Sequence, residues 1–258
     1  MSFSIDWLDL REPADLRARD QGLIATLAEW CAGRTPRILD LGSGTGSSYR
    51  GLSPHIGGQW TLTDIDTALL REATQRHGDE PSFATTRNVD LMADLEELIA
   101  ETQPDLICGS ALIDLASAQW LNRLAAALPP TAAFYMALSY DGIEHWSPQP
   151  PHEETAHQAF LSHQRTDKGF GPALGPDAAS YMAEKLSERG WQVQSALSPW
   201  VLDRSDAALI APLATGSAAA VAETGALSDS DLHEWAAGRA VARNVTVGHI
   251  DLLALPRA

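Results

Sequence analysis

Cysteine is scarce in this chain. Only Cys31 and Cys108 occur among 258 residues, a count and length that exclude a disulfide scaffold and favour a reduced, cytoplasmic setting. No secretory leader is expected at this start, because the first ten residues carry Asp6 and Asp9 and have neither a basic start nor a long apolar centre. No uninterrupted apolar run approaches the ~20 residues that span a bilayer, so a soluble protein with no membrane partner is expected. Basic residues are few, 18 against 34 acidic ones, for a net charge of −16. Such a chain repels polyanions, which excludes nucleic acid and anionic lipid as general partners, and the acidity itself serves solubility. Internal repeats and low-complexity linkers are absent too.

What is present is ordinary for a single α/β domain with additions: 45% hydrophobic and 20% charged residues. The stretch that organises it is Arg37-Ile38-Leu39-Asp40-Leu41-Gly42-Ser43-Gly44-Thr45-Gly46. A short apolar strand feeds a turn with three glycines set two apart, and Ser47-Ser48-Tyr49 can open a helix. Glycines let the backbone take positive φ and approach a ligand closely, while the free N–H groups of a helix start favour an anion. A nucleotide-like cofactor is therefore expected. A dinucleotide fingerprint requires a glycine or alanine at the sixth position from Gly42, where this chain has Ser47. NAD is disfavoured on that spacing.

The same segment resembles the D/E-x-G-x-G-x-G signature of class I S-adenosylmethionine-dependent methyltransferases, with Asp40, Gly42, Gly44 and Gly46 in its fixed positions. The resemblance implies a doubly wound, mostly parallel α/β sheet of seven strands, Rossmann-like, with the last strand inserted antiparallel. It also implies S-adenosylmethionine as cofactor, with Ser43 in the cofactor loop. An ammonium and a carboxylate, rather than a pyrophosphate, would then meet the turn, so an acidic residue beside it is useful.

Along the chain, residues 1–32 read as an N-terminal helical cap, with Leu16, Leu23, Leu27 and Trp30 at helical intervals. The resemblance makes Arg11, Arg17 and Arg19 candidates for the methionine carboxylate. Gln59 to Thr63 reads as the second strand, and Asp64 follows Gly46 by 18 residues. A carboxylate there is placed for the ribose hydroxyls, Ile65 offers an apolar face to the adenine, and Asp66 caps the helix Thr67 to His77. Ser82 to Val89 reads as a third strand leading to Asp90 and Leu91, which match the family's adenine slot; Asp90 could equally cap the next helix. Pro104 to Leu112 is a fourth strand with its exit, buried on both faces, which puts Ser110 and Ala111 beside cofactor or substrate. A fifth strand is read over Ala132 to Ser139 and a sixth over Trp191 to Leu197. Residues 140–176, rich in proline and histidine, read as a substrate lid. Residues 199–243 read as a helical insertion, and Asn244 to Leu255 as the last strand.

Methyl transfer from a sulfonium needs alignment and, for some acceptors, a base. Within the lid, Asp141, His145 and His163 are the catalytic candidates, with Glu144, His157 and Asp167 as further bases and Tyr140, Trp146 and Phe170 as walls. No metal is expected: His152 and His157 are five apart and point about 140° away from each other on a helix. The segment from Asp167 to Pro176 specifies a shaped loop, read either as a substrate wall with Lys168 facing an anionic group or as a structural crossing. The expected activity is methyl transfer to a small-molecule acceptor by a monomer or homodimer. The alternatives are a non-catalytic cofactor-binding protein of the same fold and, behind it, an NAD-dependent enzyme.

Overall fold

The structure is a computed structural model and describes residues 3–80 and 83–257. Ser82, read as the start of the third strand, lies outside the described residues, as do Met1 and Ser2 of the cap. Eight strands form one sheet: β1 Arg37–Leu41, β2 Gln59–Asp64, β3 Phe83–Asn88, β4 Leu106–Ser110, β5 Ala133–Ser147, β6 Gln192–Leu197, β7 Trp200–Leu202 and β8 Asn244–Leu255. Their order is β3-β2-β1-β4-β5-β8-β6, with β7 also pairing β8. The pairings from β3 to β5 are parallel, and β8 runs antiparallel to β5, β6 and β7. The order reverses between β1 and β4, so the carboxyl ends of these two strands flank the crevice where open α/β sheets take ligands.

Both faces of the sheet are covered, and the strands show it in sequence. In β1, Ile38 joins one buried cluster and Leu39 and Leu41 the opposite one, which is why that run is apolar without alternation. One cluster takes in α2 Gln21–Cys31, α3 Ser47–Leu52 and α4 Thr67–His77; the other takes in α5 Leu95–Thr102, α6 Ala118–Ala127 and α8 Ala178–Glu188. Side-chain caps start several of these helices: Asp66 accepts from Ala68 and Leu69 N–H, and Ser117 accepts from Trp120 N–H. Each such cap is worth about 1 kcal/mol.

Three expected boundaries differ. The cap is two helices, α1 Ile5–Ala18 and α2, because Asp20 accepts from Leu23 N–H at 2.8 Å while its own N–H donates to Asp251 at 2.9 Å. Both bonds are unavailable inside a continuous helix. The region 140–147, expected to open the lid, instead continues β5 for 15 residues in all, pairing Glu144 with Val247 and Trp146 with Val245. The lid proper begins at Pro148 and holds α7 Glu153–Gln164. The insertion over 199–243 opens with a strand, β7, before α9 Ala207–Thr224 and α10 Asp229–Ala240, which makes eight strands where seven were expected. Arg204–Thr224 is, among the described residues, the one helical stretch long and apolar enough to cross a membrane; Leu209, Ile210, Ala214 and Val221 on it are buried in the protein's own core.

Candidate cofactor and acceptor cavity

Strand β1 ends in a turn whose geometry only glycine accepts readily. Gly42, Gly44 and Gly46 all have positive φ, at 61°, 56° and 92°. The turn is fixed from several sides: Ser43 N–H donates to Thr63 O (2.8 Å), Gly46 N–H to Ser43 O (2.9 Å), and Arg50 Nη1 to Thr45 O (2.5 Å). Asp64, at the end of β2, accepts the Gly44 N–H at 2.9 Å on one carboxylate oxygen and the Asp66 N–H at 2.9 Å on the other. The acidic residue and the glycine turn are thus one unit, and each oxygen retains a lone pair for a further donor.

Above this floor lies a cavity of about 460 Å³. Gly42, Ser43, Gly44, Asp64, Ile65, Asp90, Leu91, Ser110 and Ala111 all line it, so strands β1, β2 and β4 and the end of β3 bring the expected residues together. Ile65 stands out into the open at 61% exposure. Asp90 accepts the Met92 N–H at 2.8 Å, holding the turn after β3, and Asp94 makes no side-chain cap to α5. Ala111 takes φ of 49°, a strained value for a residue with a Cβ, where the chain turns out of β4.

Other expected residues lie elsewhere. Gly46 shapes the turn without lining the cavity, and Asp40 is completely buried behind it. Burial pushes the Asp40 carboxyl up to about 7, against the opposing pull of the Ser48 hydroxyl and the Arg19 guanidinium. Its Oδ1 lies 3.8 Å from the Cys108 thiol. Arg19 is not in the cavity wall, contrary to its expected place: it is 2% exposed and packs beside Gly51 of α3, where a Cβ would sit 2.9 Å from its Nε. Arg17 faces outward to Asp206 at 2.7 Å. Arg11 is the arginine that lines the cavity, because Leu8, Arg11 and Asp15 fall on one face of α1 at helical spacing. That spacing was present in the sequence. Arg11 is held by Asp15 (2.9 and 3.1 Å) and stacks over Trp200 at 5.0 Å.

The three catalytic candidates are not brought together, and none lines the cavity. Asp141 accepts the Ile143 N–H at the bulge of β5, with burial raising its carboxyl. His145 is exposed on the same strand, and His163 ends α7 beside Glu223 (3.0 Å) and Lys168 (3.2 Å). Lys168 and Phe170 do line it, from the glycine-rich loop. Glu144, Glu153 and His157 approach within 4.8 Å of one another, yet Arg239 occupies both carboxylates, with Nη1 2.8 Å from Glu144 and Nη2 2.6 Å from Glu153.

This architecture is the class I S-adenosylmethionine-dependent methyltransferase fold. Over nearly the whole chain it is similar to the YcgJ protein from Bacillus subtilis (12% identity, 93% of this chain and 100% of that one, TM-score 0.53). It is likewise similar to a cyclopropane-fatty-acyl-phospholipid synthase-like protein from Lactobacillus casei (18%, 99% and 95%, 0.53). A third similar structure is a methyltransferase from Geobacter sulfurreducens in complex with S-adenosylhomocysteine (15%, 100% and 100%, 0.50). No family model and no curated protein sequence matches the chain.

Proposed function

We propose that this protein transfers a methyl group from S-adenosylmethionine to a small-molecule acceptor. The observation that carries the reading is the convergence of the glycine turn, Asp64 and Asp90 on one cavity at the carboxyl ends of the strands. In this reading Asp64 accepts from the ribose hydroxyls, Asp90 and Leu91 meet the adenine edge, and Ile65 covers its face. Two buried hydroxyls of the turn that line the cavity, Ser43 Oγ and Ser47 Oγ, have no hydrogen-bond partner among the described residues. Orphaned polar groups at that end fit the ammonium and carboxylate of the cofactor's methionine, with Arg11 in the adjoining wall. Arg19 then acts from behind, through the charge it sets beside Asp40.

When bound, S-adenosylmethionine supplies an electrophilic methyl on a sulfonium. The chain's contribution is orientation and exclusion of water, with Leu8, Leu112 and Phe170 walling the space beside Ser110 and Ala111. Alignment of this kind is worth up to about 7–11 kcal/mol. Asp141, His145 and His163 stand outside the wall, so orientation rather than proton transfer carries the rate in this reading. The cavity's modest volume and the net charge of −16 favour a small acceptor over a nucleic acid. A cytoplasmic monomer or homodimer belongs to the same proposal. Calorimetric titration with S-adenosylmethionine, S-adenosylhomocysteine and NAD tests it: the first two should bind in the micromolar range and NAD should not, and binding of NAD alone would overturn it.

A further inference from the structure

With the glycine turn, Asp64 and Asp90 assigned to the cofactor, one end of the cavity remains. Leu112 and Leu115 build it at the exit of β4, together with Lys168 and Phe170. The backbone ties the two pieces together: Ser117 N–H donates to Phe170 O (3.2 Å) and Leu174 N–H to Ala116 O (2.9 Å). Phe170 in turn packs edge-on against Trp120 at 5.1 Å. Of these four residues, only Lys168 carries a polar side chain.

Lys168 is one of two lysines in the chain. The other, Lys185, pairs with Glu188 on the surface at 2.8 Å. Lys168 is only 7% exposed and, among the described residues, makes no ion pair. Its Nζ donates to Thr166 Oγ1 at 2.9 Å and lies 3.2 Å from His163 Nδ1. Glu223 meets His163 Nε2 at 3.0 Å, and that nitrogen lies 3.5 Å from Lys168 Nζ, so Glu223 acts on the ammonium across the ring without pairing with it directly. Asp167, the adjacent acid, is committed to the loop, accepting the Gly169 and Gly171 N–H groups at 2.7 and 3.0 Å. Burial holds the Lys168 ammonium below its ordinary value, with Glu223 opposing. The other cation in the wall, Arg11, is already neutralised by Asp15. A desolvated cation without an acid partner costs free energy until an anion completes it.

We propose that Lys168 anchors an anionic group, a carboxylate or a phosphate, on an otherwise apolar acceptor seated against Phe170, Leu112 and Leu115. Calling the ligand an acceptor rests on the methyltransferase reading; the anion site itself does not. The test is calorimetric titration of the whole protein, with and without saturating S-adenosylhomocysteine, using benzoate, phenyl phosphate and benzyl alcohol. At least one anion should bind about ten-fold tighter than the neutral probe, since a hydrogen bond to a charged group is worth ~1.5–3 kcal/mol, and the stronger of the two anions separates carboxylate from phosphate. Lys168→Met should remove the preference, Lys168→Arg should keep it, and both should bind S-adenosylhomocysteine as the parent does. Equal binding of all three probes, binding of none, or a preference that survives in folded Lys168→Met overturns the proposal. Failure of S-adenosylhomocysteine to bind would instead sink the methyltransferase reading, and the anion preference would then be judged on the cofactor-free protein.

Discussion

Arg239→Met isolates the ion cluster that joins the lid to the insertion. Arg239 lies on α10 and is fully buried, stacked between Trp146 (4.3 Å) and Trp235 (4.4 Å). It meets Glu153 of α7 through two nitrogens (2.6 and 3.3 Å) and Glu144 of β5 through the third (2.8 Å). Methionine fills much of the same volume, so the main loss is the charge. Two nearly buried carboxylates are then left without their cation, a change that costs about 3–5 kcal/mol. At ~2–4 °C per kcal/mol for a chain of this size, the midpoint of thermal unfolding should fall by roughly 6–20 °C. A second readout separates this account from simple loss of packing. Glu144, Glu153 and His157 keep ligand atoms within 4.8 Å of one another, and Arg239 is what occupies the carboxylates. Two carboxylates and an imidazole are zinc-like donors. Zinc should therefore raise the midpoint of Arg239→Met and leave the parent unchanged, measured by circular dichroism melts with and without the metal. A variant that melts within about 2 °C of the parent would refute the assignment of Arg239 as the neutralising charge.

Two further outcomes follow from the cofactor turn. Gly44→Val places a β-branched residue at φ 56°, where even a Cβ would sit 3.2 Å from Leu8 Cδ1; S-adenosylhomocysteine binding should be lost while far-ultraviolet dichroism shows a folded chain, and normal affinity would sink the role of the turn. Asp40→Asn tests the buried carboxyl that burial raises from 3.8 to about 7. A raised carboxyl contributes stability fully below its unfolded value and loses it as pH rises through 7, so the folded chain should lose on the order of 4 kcal/mol between pH 4 and 8 from this group. Relative to the parent, Asp40→Asn should thus be more stable at pH 8 than at pH 4 in urea unfolding, and an unchanged difference would show that Asp40 is already ionised at pH 4.

The parts of the site that were legible in sequence are those built by one strand and the turn that follows it. The glycine turn follows a short apolar run, and Asp64 with Ile65 and Asp90 with Leu91 each follow directly from a short strand, so local spacing was enough to place them at one edge. Asp66 was separable from Asp64 because a helix start creates N–H groups that only the nearer carboxylate reaches. The last strand was legible over its full span, because Val245 to Leu253 is too apolar and too β-branched to lie outside the sheet. Pairing between distant segments was not legible. The extension of β5 through His145 depends on β8, about a hundred residues later, and without it Asp141 and His145 read as lid residues. The choice of Arg11 over Arg19 depended on which face α1 turns to the sheet. Asp20 decides that by breaking the helix, and its own position is set by Asp251 at the far end of the chain.

The same long-range ties account for a cavity whose wall lacks an assigned base. Helix α1 forms part of the cavity wall and is fastened at several points along its length. Glu12 pairs with Arg50, which also reaches Thr45 in the glycine turn; Asp9 pairs with Arg76 of α4 at 2.7 Å; Arg17 pairs with Asp206. Wall and floor are thereby braced against each other. For exposed ion pairs each link is worth little by itself, at most about 1 kcal/mol, but together they hold α1 in register with the turn. A reaction that depends on alignment draws on that kind of bracing, since a displacement of about 1 Å at the reacting atoms can cost ~10²-fold in rate. Under the proposed reading, Arg50 and Arg76 contribute to the rate through this bracing, although neither lines the cavity and no motif for catalytic chemistry would select them.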